Sequence, residues 1–132
     1  MCLPATVATN DDYTKFVDTS DEWIRTRTGM RERHISDGSP EYLLSVGSAK
    51  EAIADAGLTA EDIDLIIHTS VTPDYVTPSM SCIVQGLLGA SNAACIDINC
   101  ACAAFVYALD MARRYLITGD HKNVLIISTE LL

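Results

Sequence analysis

Cys102 stands in the run Asn99-Cys100-Ala101-Cys102-Ala103-Ala104, where an apolar stretch gives way to a helical pattern. A thiol at a strand-to-helix junction is placed for nucleophilic chemistry. A tight turn exposes the sulfur, and the unpaired N–H groups of a helix N-terminus favour a thiolate and can hold an oxyanion. The small neighbours Ala101, Ala103 and Ala104 leave room for a substrate carbonyl. A free cysteine is more often a small buried hydrophobe, and position alone leaves that alternative open. Cys95 and Cys100 read as structural. A zinc site built from Cys95, Cys100 and Cys102 is excluded, because the spacing is not that of metal ligands and strand alternation would turn the side chains apart. No other metal site is expected. His34, His68 and His121 are scattered without evident partners, and none is assigned a catalytic role.

A second feature is a local excess of positive charge. The chain has only nine Lys and Arg, yet Arg25, Arg27, Arg31 and Arg33 fall within nine residues, followed by His34. Arginine binds phosphate through a bidentate fork and does not lose its charge. The alternative is a solvated surface paired with Asp21, Glu22 and Glu32.

These residues need elements to position them. Thr19 and Glu22 fit a capping box for a short helix to about Thr26, with Gly29 turning the chain. Residues 36 to 40 read as a loop, with Ser39 as N-cap and Pro40 as the first residue of a helix. Leu43, Val46, Ala49, Ile53 and Ala56 recur at helical spacing, and Gly57 stops that helix. Leu65 to Thr69 is a short β-branched run, read as a buried strand. Thr77-Pro78 starts a helix striped by Met80, Ile83, Val84, Leu87 and Leu88, ending at Gly89. Residues 94 to 99 form a second strand. Phe105, Leu109, Ala112 and Leu116 stripe a helix ending at Gly119, and residues 123 to 129 form a third strand. The strands start about 29 residues apart with a helix between each pair. That is β-α-β-α-β, an α/β class with parallel strands. Residues 1 to 10 suggest no element of their own. The whole span 1–132 is expected to be one half-domain of a larger fold, since a three-strand parallel sheet needs more neighbours.

Composition excludes several classes. At 132 residues, 48% apolar and 20% charged, the chain is globular. A net charge of −9 argues against a general nucleic-acid binder. No apolar run approaches a membrane span, and no signal peptide is expected. An odd count of five cysteines suits free thiols in a reducing, cytoplasmic setting.

Four segments carry a resemblance. Residues 18 to 34, Asp-Thr-Ser-Asp-Glu-Trp-Ile-Arg-Thr-Arg-Thr-Gly-Met-Arg-Glu-Arg-His, resemble the N-terminal motif of β-ketoacyl-acyl-carrier-protein synthase III. Residues 97 to 107, Asp-Ile-Asn-Cys-Ala-Cys-Ala-Ala-Phe-Val-Tyr, resemble its active-site cysteine motif. Pro78-Ser79 with the following helix, and the closing Ile-Ile-Ser-Thr-Glu-Leu-Leu, match in order and spacing.

The resemblance implies a thiolase-like fold, layered α-β-α-β-α, of which this chain would be the N-terminal half without its first strand. It implies Cys102 as the nucleophile, acylated by acyl-CoA and then discharged by decarboxylative condensation with malonyl-acyl carrier protein. No cofactor beyond these substrates is implied. Trp23 would stack on the CoA adenine, Arg27 would contact the nucleotide, and Thr28 would hydrogen-bond nearby. Thr77 would stand at the acyl pocket, reaching across a homodimer formed through residues 94 to 99. The family's catalytic His and Asn belong to the other half. One departure is local: the family carries Gly two residues after the cysteine, and here that residue is Ala104. Two other readings compete: a thiolase-fold acyltransferase of secondary metabolism, and a non-catalytic acyl-CoA or protein interaction module.

Overall fold

Two four-residue runs, Thr6–Thr9 (β1) and Glu32–Ile35 (β2), pair antiparallel with Thr6 opposite Ile35. The computed structural model describes residues 1–132 as two units, and these strands belong to the smaller one, Leu3–Ser39. Residues 1 to 10 therefore do contribute an element, contrary to the sequence reading. Thr-Val-Ala-Thr is short and largely exposed, and its partner lies far along the chain. Between the strands come Asn10–Tyr13 (α1) and Asp21–Thr28 (α2). Asn10 is buried and ties this unit together: its amide donates to Asp21 and to the Met30 carbonyl, and it accepts from Arg33.

The cap of α2 is Ser20, one residue later than expected. Its hydroxyl accepts from the Trp23 N–H at 3.1 Å, while the Thr19 hydroxyl is buried without a partner. Helix α2 runs two residues beyond Thr26 and closes at Gly29 in the left-handed conformation, φ 76°.

The larger unit comprises Met1–Cys2 and Pro40–Leu132. Helix α3 spans Glu41–Asp55, with Pro40 as the N-cap residue rather than Ser39. Leu65–Thr69 (β3), Ala94–Ile98 (β4) and Val124–Ser128 (β5) form a parallel sheet in the order β4-β3-β5, with Leu65 level with Ala94 and Val124. Met80–Leu88 (α4) joins β3 to β4, and Ala104–Thr118 (α5) joins β4 to β5.

Every residue of β3 is buried, because both faces of the sheet are covered. Ile66 packs on one face with Val46, Ala49 and Ile53 of α3 and Val84 of α4. Leu65 and Ile67 pack on the other with Ala108 and Ala112 of α5. Strand alternation puts His68 on the Ile66 face, towards α3. No helix is long and apolar enough to cross a membrane.

The start of α4 differs from the sequence reading. Ser79 is the N-cap and accepts from the Cys82 N–H; the Met80 and Ser81 N–H groups donate to the Asp97 carboxylate at 2.7 and 2.9 Å. Thr77 is thus exposed and free of any capping role.

Ile66 has no accessible surface and sits on the central strand. Ile66→Ala should lower the unfolding free energy by about 2–5 kcal/mol. The measurement is a urea midpoint at unchanged slope; a loss below about 1 kcal/mol would mean that β3 does not organise the core.

Candidate active site

Between the end of β4 at Ile98 and the start of α5 at Ala104, the chain must reverse within five residues. It does so through a single 3-10 turn, Ala101–Ala103, with Ala101 at φ 47°. Ala101 is the one non-glycine residue with positive φ. For an L-residue this conformation costs about 1–2 kcal/mol. The strain sits immediately before Cys102. The Cys102 thiol is exposed. Sequence placed Cys102 at the helix start; it stands two residues earlier, in the turn that feeds α5. The first N–H groups of α5 lie just beyond it, at the positive end of a helix of 15 residues.

The other cysteines differ in environment. Cys95 is half-buried on β4, and burial, with Cys82 adding to it, pushes its thiol up to about 11. It is a poor nucleophile, in keeping with the structural role expected of it. Cys100 is exposed and so is not a core residue. Ala104, the departure from the motif, is buried at the first turn of α5, so its methyl group faces the interior.

A cavity of about 200 Å³ opens at the C-terminal ends of β3 and β4, lined by His68, Ser70, Tyr75, Val76, Asp97 and Asn99. Asn99 lies three residues before Cys102, and Val76 lies one before Thr77. Neither Cys102 nor Thr77 lines this cavity itself; their chain neighbours Asn99 and Val76 do. His68 had no partner evident in sequence. In the structure its Nε2 lies 3.0 Å from the Ser45 hydroxyl and 3.8 Å from Glu41 Oε1. Burial holds its basicity below the ordinary value. Glu41 is the residue the sequence reading missed. It is wholly buried, and burial raises its carboxyl from 4.5 to about 7.

The basic cluster is resolved residue by residue within the smaller unit. The Arg27 guanidinium lies 4.5 Å over the half-exposed Trp23 ring, one helical turn away on α2. Thr28 Oγ1 donates to the Ile24 carbonyl and accepts from the Met30 N–H, so its one proton is committed within the helix end. Arg33 stacks on Tyr13 and bonds Asn10, a structural role. Arg25 is loosely paired with Asp21 at 3.7 Å.

The family model described as 3-oxoacyl-[acyl-carrier-protein (ACP)] synthase III matches residues 96–132, which run from β4 through the Cys102 turn to the end of the chain. The β-ketoacyl-[acyl-carrier-protein] synthase III of Clostridium acetobutylicum is 47% identical over 130 residues, covering 98% of this chain and 40% of the relative. The chain is similar to synthase III enzymes over nearly its whole length. The crystal structure of 3-oxoacyl-[acyl-carrier-protein] synthase III from Aquifex aeolicus VF5 superimposes with a TM-score of 0.94 at 46% identity, over 99% of this chain and 42% of that one. The priming β-ketosynthase of the R1128 polyketide pathway reaches a TM-score of 0.91 at 32% identity, over 97% of this chain and 39% of that one. The fold is accordingly the thiolase-like α/β fold of synthase III enzymes. The chain spans about 40% of the length of the curated relatives it matches.

Cys82 and Cys102 are both exposed at helix N-termini, but only Cys102 follows a strained residue, Ala101, while Cys95 is shielded. Under limiting iodoacetamide, peptide mapping should find Cys102 labelled first and Cys95 last. Faster labelling of Cys95 or Cys100 would remove Cys102 from the nucleophile role.

Proposed function

We propose that Cys102 is the acyl-accepting nucleophile of a 3-oxoacyl-[acyl-carrier-protein] synthase III, an acyltransferase that initiates fatty acid synthesis. The reading is carried by the exposed thiol on a strained turn at the N-terminus of α5, inside the segment matched by the family model. The thiolate attacks the thioester carbonyl of an acyl-CoA. The resulting oxyanion is held by the Cys102 N–H, since the Ala103 and Ala104 N–H groups donate to the Cys100 and Ala101 carbonyls, and CoA leaves as its thiolate. Malonyl-acyl carrier protein then loses carbon dioxide, and its α-carbon attacks the acyl-cysteine carbonyl. Cys102 leaves, and 3-oxoacyl-acyl carrier protein is the product. By the resemblance, a His and an Asn beyond these residues assist that second step.

On α2, Trp23 offers an aromatic face and Arg27 a fixed cation for the adenine and phosphates of CoA; the present stacking of Arg27 on Trp23 keeps both pre-arranged. Thr28 supports this site through its remaining acceptor capacity and its hold on the helix end. The position of β4 at a sheet edge, where an unpaired apolar strand is an aggregation hazard, supports assembly as a homodimer through residues 94 to 99. The free thiols suit a cytoplasmic setting.

The test has two steps. Incubated with acetyl-CoA, the full chain should gain one acetyl group on the Cys102 peptide by mass spectrometry, and Cys102→Ser should gain none. Discharge by malonyl-acyl carrier protein to a 3-oxoacyl product should need a longer protein that also supplies the His and Asn, and this chain alone should stop at the acyl-cysteine. The similarity to the priming β-ketosynthase favours one second reading, an acyltransferase of secondary metabolism. Under that reading Cys102 still acylates, and the acyl group moves to an acceptor other than the fatty acid synthesis carrier. If no acyl-cysteine forms, both enzyme readings fall and an acyl-CoA or protein interaction module remains.

Thr77 is exposed, follows the cavity-lining Val76 in the chain and is small, which supports acceptance of primers longer than acetyl. Discrimination in such pockets is worth about 1–3 kcal/mol per methylene. Thr77→Phe should therefore cut octanoyl-CoA use relative to acetyl-CoA by roughly tenfold or more. An unchanged ratio in competition assays would show that Thr77 does not set primer length.

A further inference from the structure

Glu41 is a carboxylate at the first turn of α3 with no accessible surface. Its Oε2 accepts from the Ser70 hydroxyl at 3.0 Å and from the Thr72 hydroxyl at 3.1 Å. Its Oε1 is buried with no hydrogen-bond partner, 3.8 Å from His68 Nε2. The charged groups that face it are Asp74 on the segment after β3 and Glu130 after β5, both anionic. Burial lowers the basicity of the neighbouring His68, against the opposing effect of Asp97 on β4, Glu130 and Asp74. A buried carboxylate with one bare oxygen and anionic neighbours is held as the neutral acid.

The partners of Glu41 lie on one segment. Ser70 and Thr72 open the stretch that continues through Asp74, whose carboxylate accepts from the Tyr42 N–H, to Thr77. Ser70 and Tyr75 also line the cavity at the strand ends. The first turn of α3 thus fastens this stretch at Ser70, Thr72 and Asp74.

We infer that Glu41 is a positioning residue for the segment from Ser70 to Thr77, a protonation-dependent latch that sets where Thr77 stands and hence how long an acyl chain the site accepts. The last step rests on the proposed transferase reading; the latch itself does not. The direction follows from linkage. An acid whose carboxyl is raised in the closed state stabilises that state fully below the ordinary value near 4.5. The advantage fades as pH rises, and it is gone above about 7. Opening relieves the ionised carboxylate by exposing it to water.

Hydrogen exchange in the full chain tests the latch. After correction for intrinsic rates, exchange at residues 70–77 should accelerate with pH through the window from 4.5 to about 7 and level off above it. The slope should approach roughly tenfold per pH unit. Glu41→Gln, which keeps an acceptor and cannot ionise, should be flat. Ser70→Ala removes a donor to the ionised form and should move the plateau to higher pH, which keeps the test open if Glu41→Gln folds poorly. A pH-independent wild type, or the same slope in the amides of Leu65–Ile67, would overturn the latch. The ratio of octanoyl to acetyl transfer should change across the same window in wild type and not in Glu41→Gln. A constant ratio with pH-dependent exchange would overturn the link to primer choice. Absence of any acyl transfer would overturn the transferase reading and leave the exchange result to judge the latch.

Discussion

A parallel strand covered on both faces has nowhere to end except at the rim of its sheet, and β3 imposes that constraint on everything around it. All five of its residues are buried. Its neighbours run parallel, so each connection must cross a face of the sheet as a helix. Helices α3 and α4 take the Ile66 face and α5 takes the Leu65 face. The C-terminal ends of the strands then share one rim, where ligands gather in open α/β sheets. The Cys102 turn, the cavity and the segment carrying Thr77 all lie at that rim because the sheet has one direction.

Asp97 shows how this arrangement is made rigid. It sits one residue from the end of β4, and its carboxylate receives the first two N–H groups of α4. A negative charge at that helix end is favourable. The same contact fixes the segment entering α4 against the strand that leads to the cysteine. The turn beyond can then hold Ala101 in a strained conformation, since strain persists only where its surroundings over-determine it.

The order of strands and helices was legible because periodicity and punctuation agree there, but α5 buries Ala104, Ala108 and Ala112 and leaves Phe105, Leu109 and Leu116 of the expected stripe exposed. The strands at 65, 94 and 124 fall where expected, and Gly57, Gly89 and Gly119 adopt the left-handed conformation that ends each helix. Caps were less legible. Thr19 and Ser20 are adjacent hydroxyls, and Thr77 stands close to Ser79; which one caps depends on backbone direction and, for α4, on Asp97 arriving from another strand. β1 escaped because its pairing with β2 is long-range and its side chains are mostly exposed. Cys102 was legible from its junction. Glu41 was not, since a glutamate opening a helix reads as solvated until Ser70, Thr72 and His68 close over it.

Charge sets a last constraint on how the two ends of the proposed chemistry work. The chain carries −9, so its field repels an anionic ligand at a distance. At physiological salt that field decays within about 8 Å, and short-range contacts decide binding. On α2, Arg27 lies against the Trp23 face, while Arg25 is only loosely paired. A nucleotide there would meet stacking and a fixed guanidinium in one place, two interactions that survive screening because they act at contact. The acidic balance therefore bears on the rate of encounter more than on the bound state. The concentration of arginine in one short stretch of an otherwise acidic chain is what such a division of labour requires.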